Sequence, residues 1–250
     1  MSLWSSASVV RQRRPSANVP FYRPPPSCQI QDLAGKYERL FGRRTLGTFV
    51  EVGAYDGESY SNTCFLADIG WRGVYVEPMP DFVTQCALRH ANNNVRVFPY
   101  AVGACEGKVG LHVGGTLTTT SARQVEVYEQ ISWARGNHHG EVISVSQLCL
   151  DTVLERADMP FDFDLLVVDV EGAEEAVFAG MGPQWRPRVM IVELEDTHPD
   201  IAPFADIRER TRALRSAICA RGYSEFHRDT INTVFTSDLT YPPLSSDPLL

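Results

Sequence analysis

The sequence predicts an α/β fold built on a mostly parallel sheet that is covered by helices on both faces. Three observations indicate this fold. Short apolar segments alternate with helical ones, glycine or acidic residues follow most of the apolar segments, and the last two segments form an antiparallel pair. In residues 48–52 and 164–170, for example, apolar and polar residues do not alternate as they do in a strand that is buried on one face only. Strands buried on both faces have this pattern, and helical connections between them make the sheet parallel.

The bounds of each element follow from apolar periodicity and from the glycines and prolines that interrupt it. Leu33, Tyr37, Leu40 and Phe41 share one helical face, and Pro80 opens a later helix. The βαβ crossovers are expected to be right-handed. In chain order, the predicted elements are a helix at 31–41, a strand at 48–52, a helix at 59–70, a strand at 73–77, a helix from 80 to about 91, strands at 95–102 and 164–170, a helix from about 174, a strand at 188–194, a helix at 204–221, and strands at 223–227 and 232–236.

Composition divides the chain into one domain and two terminal segments. Residues 1–30 are rich in arginine, serine and proline and contain no acidic residue, so we predict a disordered or extended arm that builds no core. An organelle transit peptide is the alternative interpretation of that arm. Residues 31–240 form the predicted domain, with a glycine- and threonine-rich insertion at about 103–150 over one sheet edge. Residues 241–250 form a tail.

Charge and cysteine usage exclude several classes of protein. The net charge of −8 argues against a nucleic acid as the main partner, and no apolar run approaches the roughly 18 residues of a membrane span. The six cysteines are scattered without metal-ligand spacing, which is typical of reduced thiols in the cytoplasm. Oligomeric state is left open.

The carboxyl ends of the first two strands carry the clearest functional signal. Ligands bind beyond these ends in open α/β sheets. The loop Gly53-Ala-Tyr-Asp-Gly57 follows the first strand, and Glu77-Pro78 follows the second, twenty residues beyond Gly57. Glycine lets the backbone turn sharply and approach a ligand, and an acid at this offset can accept the ribose hydroxyls of an adenosine. The pattern predicts a nucleotide-cofactor site.

Three details favour S-adenosylmethionine (SAM) over a dinucleotide as that cofactor. The glycine pattern is GxxxG, not the GxGxxG of dinucleotide folds. Glu51 and Asp56 would repel a pyrophosphate but suit the cationic sulfonium and amino groups of SAM. No lysine or arginine in the loop offsets these acids. An NAD-type oxidoreductase and a tight turn without a ligand are the alternatives.

Further acids follow the fourth and fifth strands, and they are costly to bury unless they are paired or functional. We interpret Asp169 and Glu171 as contacts to cofactor or substrate, as a general base, or as divalent-metal ligands. For Glu174, a structural role at a helix N-terminus is as well supported as a functional one. The other candidates, for which a solvated loop is an equal or better interpretation, are Glu193, Glu195, His198, His138 and His139.

Three blocks of the sequence resemble the FkbM-type methyltransferase family. They are residues 49–63 (FVEVGAYDGESYSNT), residues 73–80 (GVYVEPMP), and Leu150-Asp151 followed by residues 164–174 (DLLVVDVEGAE). The resemblance extends from about residue 45 to residue 236. It implies a Rossmann-like class I methyltransferase fold, SAM as cofactor, and O-methylation of a sugar or other small metabolite. A non-catalytic interaction module with the same fold is the alternative, because fold does not guarantee activity.

Loop pattern and resemblance together define the predicted site. Glu51 and Gly53 are expected to hold the methionine end of SAM, Glu77 to bind its ribose, and Asp169 or Glu171 to serve a small-molecule or glycan acceptor. A divalent metal is left open. The predicted cofactor contacts are Glu51, Gly53, Tyr55, Asp56, Gly57, Asn62, Glu77, Pro78, Ala101 and Asp169, and the predicted catalytic residues are Asp169 and Glu171.

Overall fold

A computed structural model describes residues 20–237 and contains two sheets with seven α-helices around them. The strands are β1 (Thr48–Val52), β2 (Arg72–Val76), β3 (Val95–Phe98), β4 (Ala101–Val102), β5 (Gly107–His112), β6 (Val142–Leu148), β7 (Leu165–Val168), β8 (Val189–Glu193), β9 (Tyr223–Arg228) and β10 (Asn232–Ser237). The helices are α1 (Leu33–Phe41), α2 (Cys64–Asp68), α3 (Pro80–Arg89), α4 (Ala122–Tyr128), α5 (Leu150–Arg156), α6 (Glu174–Ala179) and α7 (Ala205–Ala220). Short 3₁₀ turns lie at Gly115–Leu117, Glu195–Thr197 and Pro199–Ile201.

The main sheet has seven strands in the order β3-β2-β1-β7-β8-β10-β9. The first five are parallel, whereas β10 runs antiparallel to both β8 and β9. The predicted fold class and the C-terminal antiparallel pair are therefore confirmed. Val52 pairs with Val76 on one side and with Val168 on the other, so three central strands end at the same level. This register brings the residues that follow them to one edge.

Apolar side chains on both faces of the sheet form the core. One face, which includes Val50 and Val168, packs against α5, α6 and α7. The opposite face, which includes Phe49 and Tyr75, packs against α1, α2 and the indole of Trp71. Burying such a side chain contributes about 1.5–3 kcal/mol, so the two layers together hold the strand ends in fixed positions.

Two predicted elements differ from the structure for local reasons. The helix predicted at 59–70 begins only at Cys64, because residues 61–63 direct donors to the Glu51 carboxylate instead of into a helix. The strand predicted at 95–102 is two strands. Pro99 has no N–H to donate, and β3 ends before it while β4 joins the second sheet.

The prediction that residues 1–30 build no core is wrong for residues 20–30. Tyr22 is 1% exposed and Ile30 is 3% exposed, and both pack in the cluster around α1 and Phe65. The Tyr22 hydroxyl also donates to the Gly42 carbonyl at 2.8 Å. Two buried apolar side chains are enough to attach this segment in spite of its proline content. Residues 1–19, on which the transit-peptide interpretation depends, and the predicted tail lie outside the described residues.

The insertion is more ordered than its composition indicates. It contains β5 and β6, and β6 pairs with β4 and β5 in a three-stranded sheet of order β4-β6-β5. Helix α4 and the turn Gly115–Leu117 connect β5 to β6 and cover the carboxyl edge of the main sheet. Within residues 20–237, no helix is long and apolar enough to cross a membrane.

Candidate active site

A cavity of about 310 Å³ lies at the carboxyl edge of the main sheet. Its floor is formed by the residues that end or follow β1, β2, β7 and β8, and the insertion covers it. Seven of the predicted cofactor contacts line it, together with the predicted catalytic residue Glu171. The seven are Glu51, Gly53, Tyr55, Glu77, Pro78, Ala101 and Asp169.

Gly53 makes the turn out of β1 at a position that no other residue can occupy. Its φ of 88° lies in the left-handed region, and a Cβ there would lie 1.7 Å from the carbonyl oxygen of Asp169. Its N–H donates to the Val76 carbonyl at 2.9 Å. The backbone of the loop therefore lies directly against the ends of β2 and β7, as expected of a loop that approaches a ligand closely.

Glu77, the first residue after β2, is buried beneath the loop. One carboxylate oxygen accepts from the Tyr55 N–H at 2.9 Å, and the other accepts from the Met79 N–H at 2.8 Å. Burial raises the pKa of Glu77 to about 7, and the two N–H donors act in the opposite direction. Each oxygen retains one free lone pair, so the carboxylate can accept two further hydrogen bonds from the cavity.

Glu51 occupies the interior of the same wall. Its carboxylate accepts from the hydroxyls of Ser61 and Thr63 and from the Asn62 N–H. Burial raises the pKa of Glu51 to about 7, and these three donors oppose that shift. The carboxylate thus connects β1 to residues 61–63 and also lines the cavity.

Three predicted cofactor contacts, Asp56, Gly57 and Asn62, do not line the cavity. Asp56 accepts from the N–H groups of Glu58 and Ser59 at 2.8 and 2.7 Å and holds the turn that follows it. A Cβ at Gly57 would lie 2.8 Å from the Cys86 sulfur. Asn62 donates its N–H to Glu51, and its carbonyl accepts from the Tyr37 hydroxyl. The contacts of these three residues hold the loop and the turn that follows it against the rest of the protein.

Carboxylates crowd the end of the cavity formed by β7 and β8, which adjoins the end formed by β1 and β2. Asp169, Glu171 and Glu193 each place one carboxylate oxygen within 4.8 Å of the other two. The question whether the site binds a divalent metal concerns these three residues. Burial raises the pKa of all three, and the charge of Asp169 raises those of Glu171 and Glu193 further. Glu195 lines the same end, and burial raises its pKa to about 7. Protonation of one of these carboxyls therefore affects the others.

The insertion holds the loop that carries Glu171. This residue has a left-handed φ of 56°, and its carbonyl accepts from the Thr119 hydroxyl at 2.7 Å. The buried Tyr128 hydroxyl donates to the Glu171 carboxylate. Glu174, at the start of α6, accepts from the N–H groups of Val170 and Gly172, which fits its structural interpretation. The acidic loop is thus fixed by contacts with α4 and α6.

The three candidate histidines differ in whether they line the cavity. His198 lines the cavity, and its Nδ1 accepts from the Asp200 N–H at 3.2 Å. His138 bonds through Nε2 to the Leu117 carbonyl and lies parallel to the Tyr128 ring, so it supports the insertion from outside the cavity. His139 is exposed and also lies outside the cavity lining.

Most of the residues that cover the cavity were not predicted from the sequence. The missed lining residues come from the N-terminal segment, the loop after Gly57, α3, the turn between β3 and β4, and the insertion. The exposed aromatic residues among them are their only local signal. They include Gln29, Tyr60, Phe82, Tyr100, Thr119 and Trp133.

The Methyltransferase FkbM domain matches residues 51–225. Among solved structures, an O-methyltransferase from Bacillus cereus in complex with S-adenosylhomocysteine (SAH) is 17% identical, with a TM-score of 0.46, 84% of this chain and 82% of that chain covered. The METTL16 methyltransferase domain is 14% identical, with a TM-score of 0.42 and coverages of 81% and 65%. A TehB-like SAM-dependent methyltransferase from Corynebacterium glutamicum is 10% identical, with a TM-score of 0.35 and coverages of 76% and 80%.

No curated protein matches the chain. The match to the FkbM domain, however, begins at Glu51 in β1 and ends in β9, so it includes both ends of the cavity. It extends over well more than half of the 250 residues. The chain therefore belongs to the FkbM methyltransferase domain family and has a class I methyltransferase fold.

Proposed function

We propose that the chain transfers a methyl group from SAM to a hydroxyl of a sugar or another small molecule. The observation that supports this best is the arrangement of two chemically different ends in one cavity. Gly53 and Glu77 lie at one end, and the carboxyls of Asp169, Glu171 and Glu193 lie at the other. Methyl transfer to a hydroxyl needs both, because the donor must be held in line and the acceptor must lose a proton.

The residues at the first end fit SAM. Bound SAM supplies an electrophilic methyl group. Glu77 would accept the two ribose hydroxyls with its two remaining lone pairs, and the backbone at Gly53 leaves room for the methionine portion. Acids line the cavity and would repel a dinucleotide pyrophosphate, and the described lining residues include no lysine or arginine to offset them. This difference favours SAM over NAD.

The second end supplies a proton acceptor. A general base works best when its pKa lies near the working pH. Burial raises the pKa of Asp169, Glu171 and Glu195 above the usual range of a carboxyl, and the charges of neighbouring acids raise those of Glu171 and Glu195 further. Asp169 directly follows β7 beside Gly53, and Glu171 is held by the Tyr128 hydroxyl. Either Asp169 or Glu171 takes the acceptor proton, and the neighbouring carboxyls spread the charge.

Calorimetry of SAM and SAH binding tests the cofactor end. Glu77→Ala removes two hydrogen bonds to a charged acceptor, so the Kd for SAM should rise by about 100-fold or more. Glu155→Gln removes an exposed acid on α5 and should leave the Kd unchanged. Unchanged SAM affinity in Glu77→Ala would contradict the assignment of this site.

An acceptor screen tests the reaction. Incubation with isotopically labelled SAM and a pool of small hydroxylated metabolites should give labelled products that alkaline treatment does not hydrolyse, as expected of ethers. Asp169→Asn and Glu171→Gln are expected to lower the rate about 100-fold or more for the base and less for the other residue. A chain that binds SAM but labels no acceptor would instead match the non-catalytic alternative.

A further inference from the structure

An indole at the mouth of the cavity is half exposed although it is held in one orientation. Trp133, in the insertion, is 53% exposed and lines the cavity, whereas Trp71 and Trp185 are buried in the core. A single exposed aromatic residue is common on protein surfaces and needs no explanation by itself. The contacts of Trp133 distinguish it from such a residue.

Two segments fix this side chain. Its indole N–H donates to the Asp200 carboxylate at 2.8 Å, which connects the insertion to the loop after β8. Its ring lies 6.2 Å from the Tyr128 ring, centroid to centroid, at a tilt of 54°. A fixed aromatic surface loses little side-chain entropy when a ligand binds, so it is better suited to binding than a freely rotating one.

These contacts assign Trp133 to the acidic end of the cavity. Tyr128 donates to the Glu171 carboxylate, so one chain of contacts runs from the indole to a candidate base. Tyr60, also half exposed, lines the same cavity, and its N–H donates to the Ser27 hydroxyl at 2.9 Å. The cavity wall therefore combines aromatic surface with carboxylates.

We propose that Trp133 is a specificity-determining residue that binds the face of a hydroxyl-bearing ring without negative charge. This inference rests on the proposed function. The face of an indole is electronegative and attracts polarised C–H groups or cations. The carboxylates beyond it accept hydrogen bonds from hydroxyls, and no described lysine or arginine lines the cavity to bind a phosphate or carboxylate. Linear polyols have no ring face to cover the indole.

The test measures binding to the SAH-loaded protein by calorimetry and by saturation-transfer NMR. The probes are methyl pyranosides of glucose, galactose, mannose and glucosamine, with sorbitol as the linear polyol and glucose 6-phosphate as the anion. At least one pyranoside should bind, with transfer to its ring C–H protons, and it should bind about tenfold or more tightly than sorbitol or glucose 6-phosphate.

Three variants complete the test. Trp133→Ala should weaken pyranoside binding about tenfold or more, and Trp133→Phe should retain most of it, because a smaller aromatic face remains. Phe161→Ala removes an aromatic side chain that is 61% exposed and precedes β7, at the opposite edge of the sheet, and should change nothing. Each variant must keep the wild-type Kd for SAH, which shows that it is folded.

The outcomes separate this inference from the proposed function. If SAH binds and no pyranoside binds, or if Trp133→Ala binds pyranosides as the wild type does, the role of Trp133 is overturned while the cofactor site stands. Equal binding of sorbitol or glucose 6-phosphate also overturns it. If the wild-type protein binds neither SAM nor SAH, the proposed function fails, and this inference fails with it.

Discussion

The two ends of the cavity both contain buried carboxylates but satisfy them differently. At the cofactor end, Glu77 accepts two backbone N–H donors, and Glu51 accepts two hydroxyls and one N–H. At the acidic end, Glu193 bonds to Asp169, another carboxyl, and the hydroxyl of Tyr128 is the donor to Glu171. Fixed dipoles surround the first pair, whereas other acids surround the second.

The causes of the pKa shifts express the same difference. Burial is the largest cause at both ends. The next contributions lower the pKa of Glu51 and Glu77 through hydrogen bonds, but they raise that of Glu193 through the charges of Asp169 and Glu171. At the cofactor end, hydrogen bonds therefore offset part of the effect of burial on the pKa. At Glu193, the neighbouring acids add to that effect.

The largest predicted effect tests whether the cofactor end is rigid. Gly53→Ala would direct a Cβ into the carbonyl of Asp169, so we expect a loss of about 3 kcal/mol or more in the free energy of unfolding. Gly136→Ala is the matched control, because Gly136 has a similar φ of 79° with open space around it. It should lose only the 1–2 kcal/mol or so of a left-handed alanine. Urea denaturation of both variants measures the difference.

Equal losses in the two glycine variants would mean that the loop yields to the added methyl group. The cofactor end would then be no more rigid than the exposed loop at Gly136, and the contrast between the two ends would lose its structural basis.

The second prediction concerns the donors that satisfy Glu51. Thr63→Val keeps the shape of a fully buried side chain but removes one hydroxyl donor from the carboxylate, and should lower the free energy of unfolding by about 1–3 kcal/mol at pH 8. The control is Thr84→Val on the exposed face of α3, where the hydroxyl bonds only to the Pro80 carbonyl and the change should stay within about 0.5 kcal/mol. Equal stability of Thr63→Val and wild type would show that the hydroxyl is dispensable.

The same contrast explains which parts of the site were predictable from the sequence. Gly53, Glu77 and Asp169 directly follow apolar strands, and the register of a parallel sheet places such residues side by side. Tyr128 and Trp133 have no comparable signal. Their position depends on the pairing of β5 with β6 across more than thirty residues and on α4 between them, and neither follows from local periodicity.

Local sequence patterns also predict the structure wrongly where a side chain makes several hydrogen bonds or packing contacts. Residues 61–63 have a helical context, yet three donors to Glu51 delay α2 until Cys64. The composition of residues 20–30 indicates an arm, yet Tyr22 and Ile30 are buried. Asp56 is a loop acid as predicted, but one of its carboxylate oxygens accepts from the N–H groups of Glu58 and Ser59, and the other accepts from the Ser59 hydroxyl. In the first two cases tertiary contacts override a local preference of the sequence, whereas at Asp56 the local turn itself binds the acid.

The third prediction tests how burial and neighbouring charges act on one acid of the acidic end, Glu195. The pKa of Glu195 is raised by burial, then by Glu174 and Asp169, to about 7, above its value in the unfolded chain. Such an acid binds more protons in the folded state, so the stability that it contributes below about pH 4.5 is lost as the pH rises through about 7. Glu195→Gln should be more stable than wild type at pH 8 by about 1–2 kcal/mol and should gain little at pH 5.

Urea denaturation at both pH values, with EDTA present to remove any bound cation, measures this effect. The exposed Glu155→Gln should follow the wild-type pH dependence. A Glu195→Gln variant that also follows it would mean that burial and the neighbouring acids do not raise the pKa of Glu195 in the folded chain.

The smallest predicted effect is the pH dependence of the Kd for SAM at the cofactor end. Glu77 must be ionised to accept two ribose hydroxyls, and its pKa is raised to about 7 by burial. The ionised fraction of the empty site rises about tenfold between pH 6 and pH 8, so the Kd for SAM should fall by up to about tenfold over that interval. Glu77→Gln should bind more weakly and with a flatter pH profile, whereas Glu155→Gln should keep the wild-type profile. A wild-type Kd that is constant from pH 6 to pH 8 would show that Glu77 is already ionised at pH 6, because its two N–H donors outweigh its burial.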